Sequence, residues 1–361
     1  MKSLRKIFTV VCIWAFALFL AGSVSWSARQ GSQGSTSPQQ PQNPSLDGQT
    51  TIRVPVNEVI VPVTVKDGAG RLVADLRKDE FRIFEDDVEQ KISLFRADAT
   101  PLSMVVLIDN DLKSKDAEQV EKSLRAIVAG MSTGDEAFVC RFDQYFHPGK
   151  GFTTDQDKLI TELKRTQLDS ESSAGASGAP LNNGPSINGH SATGDQPNIS
   201  GTTRIIKGRS TKALDDAVYN ASQLLKDRGR DRRKIIFLIS DGINGQKANT
   251  YDYDAVRKEL LRYSIAVYGL GVGSAYFDRR FERLAKYAHD SGGDVYYGLK
   301  SSAMEELYSY ITEEARNQYT LAYYPAGTNH GAEYHSIEVR IKREGLTILT
   351  REGYYTSGVE R

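Results

Sequence analysis

Two cysteines in 361 residues leave no material for a disulfide scaffold, and one of them, Cys12, lies in an N-terminal leader. The other, Cys140, sits in the apolar run Ala137-Phe138-Val139-Cys140 and reads as a buried, inert thiol. A chain of this size can fold on its core without such staples. An excess of one charge is also missing. Lys+Arg 46 against Asp+Glu 46 gives a formal net charge of +0, which removes the electrostatic case for nucleic acid or for a basic membrane-surface patch. The five histidines, His147, His190, His289, His330 and His335, are scattered without a zinc spacing. There is no Gly-x-Ser-x-Gly elbow and no cysteine–histidine signature, so no motif supports a hydrolytic enzyme.

The apolar run Ile7 to Ala21 is shorter than the ~20 residues a spanning helix needs. It follows Lys2, Arg5 and Lys6 and precedes the small residues Ala21-Gly22-Ser23 and Ser23-Val24-Ser25. Residues 1–28 therefore read as a secretory signal that is removed, leaving no stable membrane span. The expected location is periplasmic, cell-surface or extracellular. Residues 29–48, rich in Gln, Ser, Gly and Pro, read as a disordered tether.

From 49 to 100 the pattern is β. Val59, Val61, Val63 and Val65 alternate, and Phe81-Arg82-Ile83-Phe84 and Ile92-Ser93-Leu94-Phe95 are further short strands. From 101 to 316 strands and helices alternate. Helical stripes run through Val120, Leu124, Ile127, Val128 and Met131, through Leu159, Ile160 and Leu163, and through Leu214, Ala217, Val218, Ala221 and Leu225. Two more run through Phe277, Phe281, Leu284, Ala285 and Ala288, and through Met304, Leu307, Tyr308 and Ile311, the last opened by a capping box of Ser302 and Glu305. Strands are expected at about 137–142, 235–240, 264–270 and 294–297. Residues 169–207, made of Ser, Gly, Asn and Pro, read as a disordered insertion, with a glycosylation sequon at Asn198-Ile199-Ser200. From 317 to 361 the β pattern returns, with Tyr319, Leu321 and Tyr323 alternating, then Ile337, Val339 and Ile341. The fold class is α/β, a doubly wound mostly parallel sheet, flanked by a small β-sandwich built from the N- and C-terminal segments. Either β segment alone would leave unpaired edges.

Two strands end in carboxylates. Val105-Val106-Leu107-Ile108 leads into Asp109-Asn110-Asp111-Leu112-Lys113-Ser114, and Ile235-Ile236-Phe237-Leu238-Ile239 leads into Ser240-Asp241-Gly242. In open α/β sheets ligands bind outside the carboxyl ends of the strands, so Asp109, Asp111 and Asp241 converge at one edge. Like charges that close need a cation or shared protons.

These stretches resemble the signatures of the von Willebrand factor type A family, whose Asp-x-Ser-x-Ser motif and later Ser-Asp-Gly turn hold a divalent metal at a metal-ion-dependent adhesion site. The flanks resemble a bacterial secreted subset called VWFA-related. The resemblance implies Mg2+ or another divalent cation, and a protein ligand whose acidic side chain completes the shell. It places Asp109 and Asp241 on the two aspartate positions and Asp111 on the first serine position. Lys113 falls on the second serine and Lys212 on the threonine, with Thr211 one residue away. Either a cation binds through Asp109, Asp111 and Asp241, or the ammonium of Lys113 or Lys212 replaces it.

Gly269-Leu270-Gly271-Val272-Gly273 lacks the spacing of a dinucleotide loop and reads as a structural turn. His289-Asp290 reads as helix capping. The expected function is non-enzymatic protein binding or adhesion, with an envelope scaffold whose metal site is dead as the alternative.

Overall fold

β-branched and aromatic residues at every second position make strands of both ends of the described chain. The computed structural model describes residues 58–165, 212–245, 247–277, 282–326 and 333–356, with the backbone of 186–187 and 190–191. The expected signal segment, the tether, most of the insertion with its sequon, and Thr211 lie outside the described residues. The first strands are β1 (Val59–Lys66), β2 (Phe81–Glu85), β3 (Val88–Gln90) and β4 (Ile92–Arg96). The α/β part follows as β5 (Leu102–Asp109), α1 (Ser114–Ser123), α2 (Arg125–Ala129), β6 (Glu136–Phe142), β7 (Phe146–Pro148) and α3 (Gln156–Lys164). It continues as β8 (Ser186–Ile187), β9 (His190–Ser191), α4 (Leu214–Leu225), β10 (Arg233–Ser240), α5 (Tyr253–Arg262) and β11 (Ile265–Gly271). Then come α6 (Ser274–Phe277), α7 (Glu282–Ser291), β12 (Val295–Tyr297) and α8 (Ser301–Arg316). The chain returns to strand as β13 (Tyr319–Tyr323), β14 (Tyr334–Ile341), β15 (Thr347–Thr350) and β16 (Gly353–Tyr355).

The large sheet has the order β12-β11-β10-β5-β6-β7, and every pairing is parallel except β6 with β7. Alternate residues of β5 feed opposite layers. Leu102, Met104, Val106 and Ile108 pack with α1, α2, α3 and α8, through Val120, Ile127, Leu159 and Tyr308. Val105 and Leu107 pack with α4, α5 and α7, through Val218, Val256 and Leu284. With helices on both faces, the central strands are apolar throughout.

The two ends of the chain form two four-stranded sheets, β15-β1-β13-β4 and β16-β14-β2-β3. Each sheet takes strands from both ends, with Val61 opposite Leu321 in one and Ile83 opposite Val339 in the other. Val59, Val61, Val63, Ile83, Leu321 and Tyr323 share one core. The α/β block is thus inserted between the halves of a sandwich, and neither half has its partner strands without the other.

Several local expectations change. The stripe from Val120 to Met131 is two helices, α1 and α2, separated at Leu124. Helix α8 starts without the Ser302–Glu305 box. Its N-cap is Lys300, in extended conformation with no side-chain cap, and the Ser301 N–H donates to Gln119 Oε1 of α1 at 3.1 Å. A neighbouring helix thus satisfies a donor that the capping box would have served. Helix α5 and edge strand β7 were not anticipated. Asp290, expected in a capping role, accepts from the Tyr253 hydroxyl and from Arg257 Nε at 3.0 Å, tying α7 to α5. Cys140 is 1% exposed and burial pushes its thiol up to about 12, as an inert thiol requires.

Candidate functional site

Strands β6 and β10 flank β5 on opposite sides, so the order reverses between β5 and β10. That reversal opens a crevice at the carboxyl ends of the strands. The register sets Ile108 beside Ile239, which brings Asp109 and the Ser240–Asp241 turn together. Gly242 follows with φ 74°, a left-handed conformation that glycine adopts without steric cost, and its N–H donates to Ser240 Oγ at 3.0 Å.

Asp109 is fully buried. Its Oδ1 accepts the Asp111 N–H at 3.0 Å, and its Oδ2 accepts the Ser240 hydroxyl at 2.7 Å. The same Oδ2 accepts Lys212 Nζ at 3.0 Å, and Lys212 Nζ also donates to Asp241 Oδ1 at 2.9 Å. Asp241 Oδ1 takes the Ile243 N–H at 3.1 Å as well. Lys212 is 3% exposed and is held from both sides. Its carbonyl accepts Gly245 N–H at 2.8 Å, and the next residue, Ala213, donates its N–H to the Asp143 carbonyl at 2.9 Å.

The electrostatics follow from this enclosure. Burial pushes the Asp109 carboxyl up to about 6; the Lys212 ammonium opposes that rise and the Asp241 carboxylate adds to it. Burial pulls Lys212 down, yet the two carboxylates outweigh it and its pKa is raised. Asp111, half-buried at the rim, is also raised, first by burial. Lys212 therefore stays charged between two carboxylates, joined to both by charge-assisted hydrogen bonds.

Lys113 is elsewhere. It is exposed, and its backbone serves as the extended N-cap of α1, so it does not reach the aspartates. Several groups at the edge were not singled out from sequence. Asn110 Nδ2 lies 3.5 Å from Asp143 Oδ2, while Asn110 Oδ1 is buried without a partner. Asp143 also meets His147 Nε2 at 3.1 Å, and Tyr145, at the tip of the β6–β7 hairpin, is 65% exposed. The signal for them was the short turn between two strands, which has no periodicity of its own.

A divalent cation at this edge needs several oxygens around an open centre. Here the centre between Asp109 and Asp241 holds an ammonium within hydrogen-bond distance of both. These residues do not fit the metal that the family resemblance implies. Among the described residues, two other groups bring three ligand atoms within 4.8 Å of one another: Glu85, Asp86 and His335, and His289, Asp290 and Glu352. Neither was recognised as a cluster in the sequence, because in each an adjacent pair is joined by a third member from a distant part of the chain, His335 in one and Glu352 in the other. Arg257 donates to Asp290 and Glu352 at 3.0 Å each, so both carboxylates of the second group are already engaged by one cation.

Inserted α/β topology, strand reversal and paired carboxylates define a fold of the von Willebrand factor type A kind. No family model matches the sequence, and no curated protein matches it. Similar solved structures include a von Willebrand factor type A protein from Catenulispora acidiphila, at 10% identity and TM-score 0.43, covering 82% of this chain and 74% of that one. An aerotolerance-related membrane protein from Bacteroides fragilis is similar at 14% identity and TM-score 0.38, covering 59% of this chain and 100% of that one. A proximal thread matrix protein from the mussel byssus, with a zinc-occupied metal-ion-dependent adhesion site, is similar at 12% identity and TM-score 0.40, covering 64% of this chain and 49% of that one. Likeness at this level carries nothing about what the chain binds. No described helix is long and apolar enough to cross a membrane.

Proposed function

We propose that this chain is an exported, non-enzymatic protein-binding module in which Lys212 takes the place of the metal at the carboxyl edge of the sheet. The observation that supports this reading is the position of Lys212 Nζ, 3.0 Å from Asp109 Oδ2 and 2.9 Å from Asp241 Oδ1. With an ammonium there, an incoming acidic side chain finds no open coordination position. Partly or fully accessible at the rim are the half-buried carboxylates Asp111 and Asp143 and the exposed Tyr145, with exposed Lys113 following in the first loop. They suit a partner protein that presents a basic side chain beside an apolar contact, since tyrosine is favoured at interfaces and charge complementarity steers association. Export rests on the composition of residues 1–28.

Two measurements test this. Thermal melts of the parent should not respond to millimolar magnesium or manganese, whereas Lys113→Ser with Lys212→Thr, which restores oxygen ligands, should gain metal-dependent stability. An upward shift in the parent would defeat the lysine reading. Crosslinking at the cell envelope, with Asp111→Asn, Asp143→Asn and Tyr145→Ala compared with the parent, tests the binding edge. A specific partner lost in the variants, with or without chelator, is expected. Partner recovery unchanged by all three would favour a scaffold role docked through another surface.

A further inference from the structure

The described structure buries cationic side chains in two ways. Lys212 faces two carboxylates, and so does Lys66, 2.6 Å from Asp294 and 2.8 Å from Glu314. Arg233 and Arg351 face none: every hydrogen bond described for them goes to a neutral group. Arg233 is held by Gln318 Oε1 and Thr320 Oγ1, each at 3.0 Å. Arg351 donates to the Ile60 carbonyl at 2.7 Å, Ser264 Oγ at 2.8 Å and the Leu261 carbonyl at 3.3 Å. A guanidinium does not give up its proton, so a buried one without a counter-ion is an uncompensated charge.

Arg351 differs from Arg233 in bordering a cavity. The cavity measures about 20 Å³ and is lined by Pro62, Ser264, Ser291, Gly292 and Gln318 alongside Arg351. It lies between β1 and the α8–β13 turn on one side and the α5–β11 and α7–β12 turns of the α/β block on the other. Arg351 is 6% exposed and its Nε has no hydrogen-bond partner. Ser264 Oγ accepts from Arg351, which leaves its own proton to donate. Gln318 Nε2 is committed to Thr64 and Tyr268, so it adds bulk to the wall rather than a donor. Gly292, at φ 84°, lets the chains pack closely beside it: a Cβ there would stand 2.6 Å from the backbone nitrogen of Arg351. Among the described residues, the walls therefore bring a guanidinium and a hydroxyl donor to a space that holds a water-sized guest and is too small for a phosphate.

We propose that this cavity binds one monovalent anion of halide size, chloride being the physiological one, as counter-ion to Arg351. The charge decides against water as the sole guest. Water solvates the guanidinium but leaves its charge uncompensated, and burial pushes Arg351 down to about 10 against the opposing pull of Tyr323 and Tyr354. The anion bridges the sandwich and the α/β block at the pole away from the Asp109 edge, so it is independent of the function proposed above.

Melting temperatures of the full chain, in sodium chloride exchanged stepwise for sodium gluconate at constant ionic strength, test this. Stability should rise with chloride by about 3 °C for each tenfold increase above the dissociation constant, because only the folded chain has the cavity. Arg351→Met should abolish the dependence. If that variant fails to fold, crystals of the parent soaked in bromide decide the matter by anomalous scattering. A bromide peak against Arg351, together with the chloride dependence, supports the site. A peak without any stability dependence marks an adventitious ion only and overturns the proposal. So does a cavity that holds water alone in chloride and bromide.

Discussion

Replacing Lys212 by methionine keeps most of the side-chain volume and removes the ammonium. Asp109, with a side chain 0% exposed, and Asp241, 8% exposed, would then face each other with no cation between them. Removing one member of a buried ion pair costs about 3–5 kcal/mol, because the charges left behind stay desolvated. For a domain of this size that lowers the melting temperature by roughly 10 °C. The loss should depend on pH in a definite direction. In the parent the Asp109 carboxyl is raised from 3.8 to about 6, first by burial, against the pull of Lys212. The fold therefore holds that proton more tightly than the unfolded chain does. Its contribution to stability is present in full below pH 3.8 and is lost as the pH rises through about 6. Without Lys212 the opposing pull is gone and the shift grows. The deficit of Lys212→Met against the parent should be widest above pH 6 and should narrow by pH 5. Urea titrations of both proteins at pH 5.0 and 7.5 measure it. A deficit under about 1 kcal/mol at pH 7.5, or one that widens on acidification, would refute the ion-triad account.

Lys113→Ala should change stability by less than about 0.5 kcal/mol in the same titrations, since the side chain is exposed and the cap is made by backbone. Cys140 should resist iodoacetamide in native buffer at pH 8 and react fully in denaturant, because burial removes both access and thiolate. Gly292→Ala should lower stability by about 2 kcal/mol or more, since φ is 84° and the added carbon meets backbone at 2.6 and 2.8 Å; a melt within 2 °C of the parent would contradict the packing.

The architecture was written in periodicity. Val59 to Val65 alternate because the valines face the sandwich core while Ile60, Pro62, Thr64 and Lys66 lie on the other face, half-buried or buried, and the run before Asp109 is apolar without alternation because both faces of β5 pack against helices. Helix α5 was missed although its buried residues, Tyr253, Val256, Leu260 and Leu261, stand at helical spacing, with Arg257, Lys258 and Glu259 between them. Its start was legible in principle: Asp252 caps it by accepting the Ala255 N–H at 2.9 Å, and the parallel pairing of β10 with β11 demands a crossover there. Strand β7, at three residues, is too short to show a period. At the edge, Asp109 and Asp241 stood out because each terminates an apolar strand. Which lysine meets them is not a property of spacing. It depends on the path of the chain before α4, fixed by the Lys212 carbonyl on Gly245 and the Ala213 N–H on Asp143.

The seam between sandwich and α/β block bears on how this protein can be cut and reused. Lys66 of β1 is neutralised by Asp294 and Glu314 from the block, and Arg233 of β10 is held by Gln318 and Thr320 from the returning chain. Arg351 reaches across to Leu261 and Ser264. At this seam each part thus satisfies these three cations with atoms of the other. The α/β block, though its ends lie close to the two sandwich halves in the chain, is no portable cassette. Excised, it would expose Glu314 and strand Arg233 with the partners gone. A recombination event that moved the block alone would carry that defect with it, so insert and host are expected to travel through evolution as a single heritable piece.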